Sequence, residues 1–272
     1  MAFLDYLGKK VYYEVYGEGK PILLLNGIMM STVSWTYFKD ALRATNKLIL
    51  VDFLDQGQSD KLEDGYTQDV QVEVVNTLLN ELNLNKVNMV GISYGGEVAL
   101  QFALKYQEKI DRLVLFNTTA KTNPWLRDIG RSWNLSRKDP LNYYLTTIPI
   151  IYSPKFYNEN IDWMDNRKKM LTENIFNQEA FMNSMERLTN SAENHDVINR
   201  LNEIGLKTLI VGAENDFITP VNEQKIINQG IKNSELIILP NTGHGSMYER
   251  PLLFTSLILG FINVVQTEYN IV

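Results

Sequence analysis

The 272-residue sequence predicts an α/β fold in which helices flank a mainly parallel sheet and a helical lid is inserted. Three observations predict it. Short apolar runs typical of buried strands alternate with helix-like segments, as in sheets whose parallel strands are joined by helices. The segment Gly91-Ile92-Ser93-Tyr94-Gly95 joins one such run directly to a helix-like segment. The alternation then stops between residues 121 and 205, a stretch too long for a simple loop.

The N-terminal quarter of the chain reads as strands joined by tight turns. Residues 3–6 and 10–16 alternate in polarity, and glycine-containing turns separate them from each other and from the apolar run at 21–25. Residues 47–53 form another apolar run. Residues 67–82 place their apolar side chains on one face of a helix. Since ligand sites in parallel sheets lie at the carboxyl ends of strands, the loops after these runs are candidate site loops.

The centre of the predicted fold is the turn that carries Ser93. Residues 86–90 read as a buried strand and residues 97–106 as a helix. A chain that passes from strand to helix within so few residues is strained, and Gly91 and Gly95 remove β-carbons that would collide there. The hydroxyl of Ser93 is therefore expected at the tip of the turn, beside backbone N–H groups that can face an oxyanion.

Residues 121–205 follow the next strand, at 111–117, and are rich in aromatic side chains. Helices are predicted at 163–170, 178–188 and 196–204, separated by prolines. We expect this segment to be a lid inserted into a core domain formed by residues 1–120 and 206–272. The alternative is a second core layer whose aromatic side chains pack on one another.

The strand pattern returns at residues 207–212 and 235–240, and each run leads into residues able to do chemistry. The first is followed by Asp216, and the second by His244 between two glycines. Pro251 suits the first turn of a closing helix whose predicted apolar face extends to Val265.

A serine hydroxyl becomes a nucleophile when a neighbouring base accepts its proton, and histidine is the side chain best matched to that role. His244 is the natural candidate, and Asp216 can orient its imidazole from the neighbouring strand end. Glu214 is a rival for the acid. His195 lies among polar residues in the predicted lid, and we expect it to be solvated and to take no part in catalysis.

The order Ser, Asp, His, each after a strand, together with four motifs, resembles the α/β-hydrolase fold family over nearly the whole chain. Asn26-Gly27 stands where the family usually has His-Gly, and Asp52 to Ser59 is similar to its D-x-x-G-x-G-x-S loop. Asp216 to Pro220 is similar to its D-x-x-x-P acid loop, and Gly243 to Pro251 to its G-H-x4-E-x-P ending.

The resemblance implies Ser93 as the nucleophile, His244 as the base, Asp216 as the orienting acid, and the N–H groups of Ile28 and Tyr94 as the oxyanion hole. It implies no metal and no cofactor. Two departures bear on the loops beside the site: Asn26 replaces the usual histidine, and Asp55 replaces a glycine.

Within the family, a serine nucleophile argues against dehalogenases and epoxide hydrolases, and the absence of a Ser-Gly-Gly-Gly loop argues against hydrolases of carbon–carbon bonds. The resemblance implies a serine hydrolase that cleaves a small to medium, largely apolar carboxylic ester, thioester or lactone. Perhydrolase activity is an alternative reaction for the same site. The alternative is a signalling or receptor protein that binds a small hydrophobic ligand with slow or no turnover.

Composition and charge limit the classes of binding partner that we expect for this protein. A net charge of -6 without a long basic run argues against nucleic acid as a partner. The absence of cysteine excludes disulfides, thiolate metal sites and a cysteine nucleophile. The first residues lack the pattern of a signal peptide, and no apolar run is long enough to span a membrane. We therefore expect a cytoplasmic monomer or homodimer that acts on a small molecule.

Overall fold

The computed structural model describes residues 2–264. Eight strands form one sheet in the order β1-β2-β4-β3-β5-β6-β7-β8, in which β1, β2 and β4 pair antiparallel and β4, β3 and β5 to β8 pair parallel. The strands are β1 (Ala2–Tyr6), β2 (Lys9–Tyr16), β3 (Lys20–Leu25), β4 (Asn46–Val51), β5 (Val87–Ile92), β6 (Ile110–Phe116), β7 (Lys207–Ala213) and β8 (Ser234–Leu239). The predicted α/β fold with a mainly parallel sheet is confirmed.

The described helices flank this sheet and fill the long connection between β6 and β7. They are α1 (Lys39–Arg43), α2 (Asp69–Glu81), α3 (Tyr94–Lys105), α4 (Pro124–Ser136), α5 (Pro140–Thr147), α6 (Pro154–Glu159), α7 (Ile161–Asn174), α8 (Glu179–Ser191), α9 (Val221–Gly230), α10 (Ser246–Glu249) and α11 (Pro251–Asn263).

The sheet is buried on both faces because its side chains alternate between two apolar layers. On β3, Leu23 and Leu25 face the layer that contains α2 and α3, whereas Ile22 and Leu24 face the layer that contains α11. Every residue of the central strand β5 is buried. This double coverage explains why the central strands are uninterrupted apolar runs in the sequence.

Residues 121–205, which we call the helical insertion, contain the five helices α4 to α8. Helices α4, α5 and α6 were not predicted, and Pro140 and Pro154, which begin α5 and α6, were interpreted as separators between helices. In the structure Pro124, Pro140 and Pro154 each occupy the first turn of a helix, directly after an Asn, Asp or Ser whose side chain accepts a hydrogen bond from the helix start. The helix predicted at 196–204 is a short 3₁₀ helix, Ile198–Glu203.

The closing helix α11 begins at Pro251 as predicted and buries Phe254, Ile258 and Ile262. Val265, the last residue of its predicted apolar face, lies outside the described residues. No helix within residues 2–264 combines the length and the apolar character needed to cross a membrane.

Candidate active site

Ser93 occupies a sharp turn between β5 and α3, with φ of 52° and ψ of -119°. Few residues other than glycine adopt such a backbone conformation, and holding one costs about 1–3 kcal/mol. The turn brings backbone atoms so close to Gly91 and Gly95 that neither position has room for a side chain. A β-carbon on Gly91 would lie 2.5 Å from the carbonyl oxygen of Gly95, and one on Gly95 would lie 2.3 Å from that of Leu25. The two glycines that flank Ser93 are therefore required by packing.

The structure brings the three predicted side chains together at the carboxyl ends of three strands. His244 Nε2 lies 2.9 Å from Ser93 Oγ, and His244 Nδ1 lies 2.8 Å from Asp216 Oδ2. A carboxylate can only accept, so Nδ1 carries the proton of the neutral ring and Nε2 accepts from the serine hydroxyl. This arrangement leaves Nε2 free to take up the proton of Ser93.

Asp216 is fully enclosed, and each of its oxygens is held by further donors. Oδ1 accepts from the backbone N–H groups of Ile218 and Thr219, both at 2.8 Å. Oδ2 accepts from the Thr219 hydroxyl and from Asn117 Nδ2, both at 2.9 Å. Burial alone would raise the pKa of Asp216, but His244 and these hydrogen bonds hold that pKa below its ordinary value. The carboxylate is therefore kept ionised beside the imidazole.

Asn117 is a residue of the site that the sequence did not single out. It follows β6 directly with a φ of 46°, and it links two loops. Its Nδ2 donates to Asp216, and its Oδ1 accepts from Ser246 Oγ at 2.7 Å, two residues after His244. Because both contacts are buried, Asn117 fixes the loop that carries Asp216, the acid loop, relative to the loop that carries His244 and Ser246, the histidine loop. An asparagine placed directly after a buried strand was the available signal.

Among the described residues, neither the rival acid nor the second histidine lines the cavity of Ser93. Glu214 is exposed and accepts from the backbone N–H of Asn241 at 2.7 Å. The expectation that His195 is solvated is wrong, because it is only 5% exposed. Backbone hydrogen bonds from Thr122 N to His195 O and from Val197 N to Ala120 O dock its segment against the chain that leaves β6.

The predicted oxyanion residues both line the same cavity as Ser93. Tyr94 is the first residue of α3, so its N–H has no acceptor within the helix. Among residues 2–264, the N–H of Ile28 also has no hydrogen-bond acceptor. Both groups are therefore available to an oxygen atom placed beside Ser93.

The loop that carries Ile28 is braced by two buried amide side chains. Asn26, at the position of the family's usual histidine, donates to Val51 O at 2.8 Å and accepts from Trp35 Nε1 at 2.7 Å. Gln56 Nε2 donates to the carbonyl of Gly27 at 2.9 Å, and Gln56 Oε1 accepts from Asn26. Asn26, the residue that departs from the family pattern, thus holds the loop in place through this buried hydrogen-bond network.

The second departure, Asp55, joins the core to the helical insertion. Its φ is 71°, the region that favours the glycine usual at this position. Its enclosed carboxylate pairs with Arg187 of α8, with Nε 3.1 Å from both oxygens and Nη2 2.5 Å from Oδ1. Ser184 Oγ donates to the same carboxylate at 3.1 Å. A bidentate pair of this kind fixes both position and orientation of α8 against the core.

Ser93 and His244 open into a cavity of about 330 Å³ that lies between the core and the helical insertion. Most of its wall is apolar. Core residues contribute Ile92 and Met247, and the insertion contributes Trp133, Ile148 and Ile151. The volume suits a small to medium ligand with a largely apolar body.

One polar part of the wall surrounds Arg167 of α7. Its guanidinium carbon lies 5.3 Å from the ring centre of Trp163 and 5.5 Å from that of Tyr248. Its Nε is buried with no hydrogen-bond partner, and among residues 2–264 no carboxylate pairs with it. The hydroxyl of Tyr152, also on the wall, is likewise buried and unpartnered. A cation without an acidic neighbour suits a ligand that brings its own negative charge.

Within residues 2–264, no cluster of three or more histidine and acidic side chains is suited to hold a metal ion.

Comparisons with known proteins agree with this architecture. The model of a family described as the alpha/beta hydrolase fold matches residues 20–251. The crystal structure of MGS-M2, an alpha/beta hydrolase enzyme from a Medee basin deep-sea metagenome library, superposes with a TM-score of 0.97 and 47% identity, covering 99% of this chain and 100% of that one.

More distant relatives carry different activities in their names. A 2-hydroxy-6-oxononadienedioate/2-hydroxy-6-oxononatrienedioate hydrolase from Pseudomonas putida is 25% identical, covering 94% of this chain and 93% of the relative. Est816, described as an N-acyl homoserine lactone degrading enzyme, is 24% identical with a TM-score of 0.83, and the match covers 96% of this chain and 100% of that one. At this level of identity the similarity shows only that the two proteins share a fold. From the family match and the close structural relative, the chain is a hydrolase that belongs to the α/β-hydrolase fold family.

Proposed function

We propose that this hydrolase cleaves carboxylic esters, including lactones and thioesters, by transferring the acyl group to Ser93 and then to water. The observation that carries the proposal is the hydrogen-bonded series from Ser93 Oγ through both nitrogens of His244 to the ionised Asp216. This series provides a nucleophile, a base on its proton, and a carboxylate that stabilises the imidazolium as it forms.

The reaction has two halves. In the first, His244 Nε2 takes the Ser93 proton while Oγ bonds to the carbonyl carbon, and the oxyanion accepts hydrogen bonds from the N–H groups of Ile28 and Tyr94. The tetrahedral intermediate then collapses, and the alcohol leaves with the proton from His244. In the second half, water attacks the acyl carbon while His244 takes its proton. The bond between the acyl carbon and Ser93 Oγ then breaks, His244 returns the proton to Oγ, and the carboxylic acid leaves.

The geometry of proton transfer orients the substrate in the cavity. Because the leaving oxygen receives its proton from His244, the alcohol part must lie next to the histidine loop. That loop contacts the Arg167 part of the wall, since Gly245 N donates to Ile151 O at 2.7 Å and Tyr248 packs on the guanidinium. The helical insertion then closes over the alcohol and acyl parts and acts as the lid that limits substrate size.

A panel of aryl and alkyl esters, thioesters and lactones tests the proposal by steady-state kinetics. We expect turnover of short and medium acyl chains, with kcat/KM falling once the chain exceeds the cavity. Binding of these compounds without turnover would reject the ester-hydrolase proposal and favour the receptor alternative. Cleavage of carbon–carbon bonds in the absence of ester turnover would also reject it.

A second test asks whether Arg167 binds the alcohol part of the substrate. We expect 4-acetoxybenzoate, whose leaving group carries a carboxylate, to be a better substrate than the neutral 4-acetoxybenzamide of similar shape. Arg167→Met should reduce this preference by about tenfold to a hundredfold, since a hydrogen bond to a charged group contributes about 1.5–3 kcal/mol. The matched control is Lys169→Met, on the exposed side of the same helix, which should leave the ratio of kcat/KM unchanged. An equal ratio in wild type and Arg167→Met would contradict this role.

A further inference from the structure

Glu97 is a buried acid on the wall of the cavity that the proposed reaction does not use. It lies on α3, one turn after Ser93, and its backbone N–H donates to the Ser93 carbonyl at 3.1 Å. The residue is only 5% exposed, yet it lines the same cavity as Ser93 and His244. An acidic side chain in this position stands out because its neighbours on α3 are mostly apolar. Buried acids of this kind are found where they have a partner or a function.

A chain of hydrogen bonds between neutral groups leads from the core to Glu97. His195 Nε2 lies 3.1 Å from Thr119 O, which can only accept, so Nε2 donates and the other ring nitrogen of the neutral imidazole, Nδ1, accepts. Gln101 Nε2 donates both to this Nδ1 at 2.9 Å and to Gln68 Oε1 at 2.6 Å. Gln68 Nε2 in turn donates to Glu97 Oε2 at 2.6 Å.

The direction of this chain decides where a proton on Glu97 resides. Oε2 is already an acceptor, so the carboxyl proton belongs on Oε1. Among residues 2–264, the hydrogen bond from Gln68 to Oε2 is the only one that the carboxyl group makes, so Oε1 is left without a partner. Since the residue lines the cavity, this hydroxyl is the part of Glu97 available to a ligand.

The surroundings of Glu97 keep its carboxyl group neutral. Burial raises its pKa to about 8, although the hydrogen bond from Gln68 acts in the opposite direction. Burial also lowers the pKa of His195 to about 4, so this histidine supplies no positive charge near pH 7. Among residues 2–264, no charged side chain forms an ion pair with Glu97. The titratable groups on the elements around it are Tyr94 on α3, Tyr66 before α2 and His195 after α8. The charged groups on the cavity wall include Arg127 and Arg131, and both of them pair with Glu193.

We infer that Glu97 is a specificity-determining residue whose protonated carboxyl group donates a hydrogen bond from Oε1 to an oxygen atom in the acyl part of the substrate. This inference rests on the proposed function. The alcohol part lies next to the histidine loop, so the wall formed by α3 is left for the acyl part. One turn of helix rises about 5.4 Å, which places Glu97 within reach of an atom a few bonds from the carbonyl carbon bound to Ser93. The favoured substrates are therefore esters or lactones of hydroxy, alkoxy or oxo acids.

Phenyl methoxyacetate and phenyl butyrate test the inference, because their acyl chains have equal length and differ by one ether oxygen. The quantity measured is the ratio of their kcat/KM values from about pH 6 to about pH 9.5, across the raised pKa. Any pH effect that is common to both esters cancels in this ratio. In the wild type the ratio should fall about fivefold to tenfold as pH rises through 8. Glu97 then loses its only donor, and its carboxylate repels the ether oxygen.

Two variants of Glu97 and one control variant test whether Glu97 causes the pH dependence of the kcat/KM ratio. Glu97→Gln keeps a donor without titrating, so its ratio should be independent of pH, whereas Glu97→Leu should have the low ratio at every pH. Glu73→Gln is the control, because Glu73 pairs with Lys105 and does not line the cavity. It should retain the pH dependence of the wild type. If Glu97→Leu does not fold, as judged by circular dichroism, the comparison between wild type and Glu97→Gln decides alone.

An unchanged, pH-independent ratio in the wild type would overturn the inference. So would a pH-dependent ratio in Glu97→Gln, or an equal loss on both esters in the variants, which would indicate a purely structural role. Failure of the proposed function would look different, because neither ester would then be turned over by the wild type.

Discussion

Ser93→Ala is expected to lower kcat on every ester that the protein hydrolyses by about 10⁵- to 10⁶-fold. The hydroxyl that forms the acyl-enzyme is lost, while the cavity and the N–H groups of Ile28 and Tyr94 remain, so residual rate enhancement and substrate binding should persist. The fold should also persist. Alanine meets the same positive φ that serine meets at this turn, and within residues 2–264 the side chain of Ser93 makes no hydrogen bond apart from that to His244.

Covalent labelling gives an independent measurement of the same role. A fluorophosphonate should add one label to the intact wild-type protein, and peptide mapping should place it on Ser93. Ser93→Ala should take up no label, whereas Ser132→Ala, a change on the exposed surface of α4, should be labelled and active like the wild type. Labelling of any other residue, or activity in Ser93→Ala close to that of wild type, would refute Ser93 as the nucleophile.

Local patterns were sufficient to predict the sheet and the three joined side chains. The strands of the core are buried on both faces, so their sequences are apolar runs, and the turn at Ser93 needs two glycines that are visible in the chain. Ser93, Asp216 and His244 follow strands whose carboxyl ends meet at one edge of the sheet. Their meeting therefore follows from the order of the elements alone.

Contacts between segments distant in sequence could not be predicted in the same way. Asn117 contacts Asp216 across 99 positions and Ser246 across 129, and neither neighbour is implied by the residues around it. The burial of His195 depends on docking against the chain after β6, whereas its own sequence neighbours are polar. In the same way, charges counted along the helical insertion do not reveal that Arg167 lacks an acidic partner in the described part of the chain, because that depends on which side chains share the cavity wall.

The acid of the site is the remaining assignment that a single substitution can decide. Asp216→Asn is expected to lower kcat by about 10⁴-fold. The carboxylate of Asp216 accepts hydrogen bonds from five donors. In asparagine one of the two oxygens is replaced by an NH2 group, which in either orientation of the amide faces groups that are themselves donors. If the amide nitrogen faces His244, Nδ1 must become an acceptor. The proton then moves to Nε2, which can no longer take the proton of Ser93.

The pKa of Asp216 adds a second readout that distinguishes this role from a general loss of structure. Because its pKa is lower in the folded than in the unfolded state, the carboxylate stabilises the fold above the ordinary value of 3.8, and this contribution is lost as pH falls through the folded pKa. The difference in free energy of unfolding between wild type and Asp216→Asn should therefore shrink as pH falls below about 4. Glu214→Gln, which removes a charge from the exposed rival acid, should leave both kcat and this pH dependence unchanged. If Glu214→Gln reduced kcat more than Asp216→Asn, the acid would be Glu214, and the contact between Asp216 and His244 would be structural only.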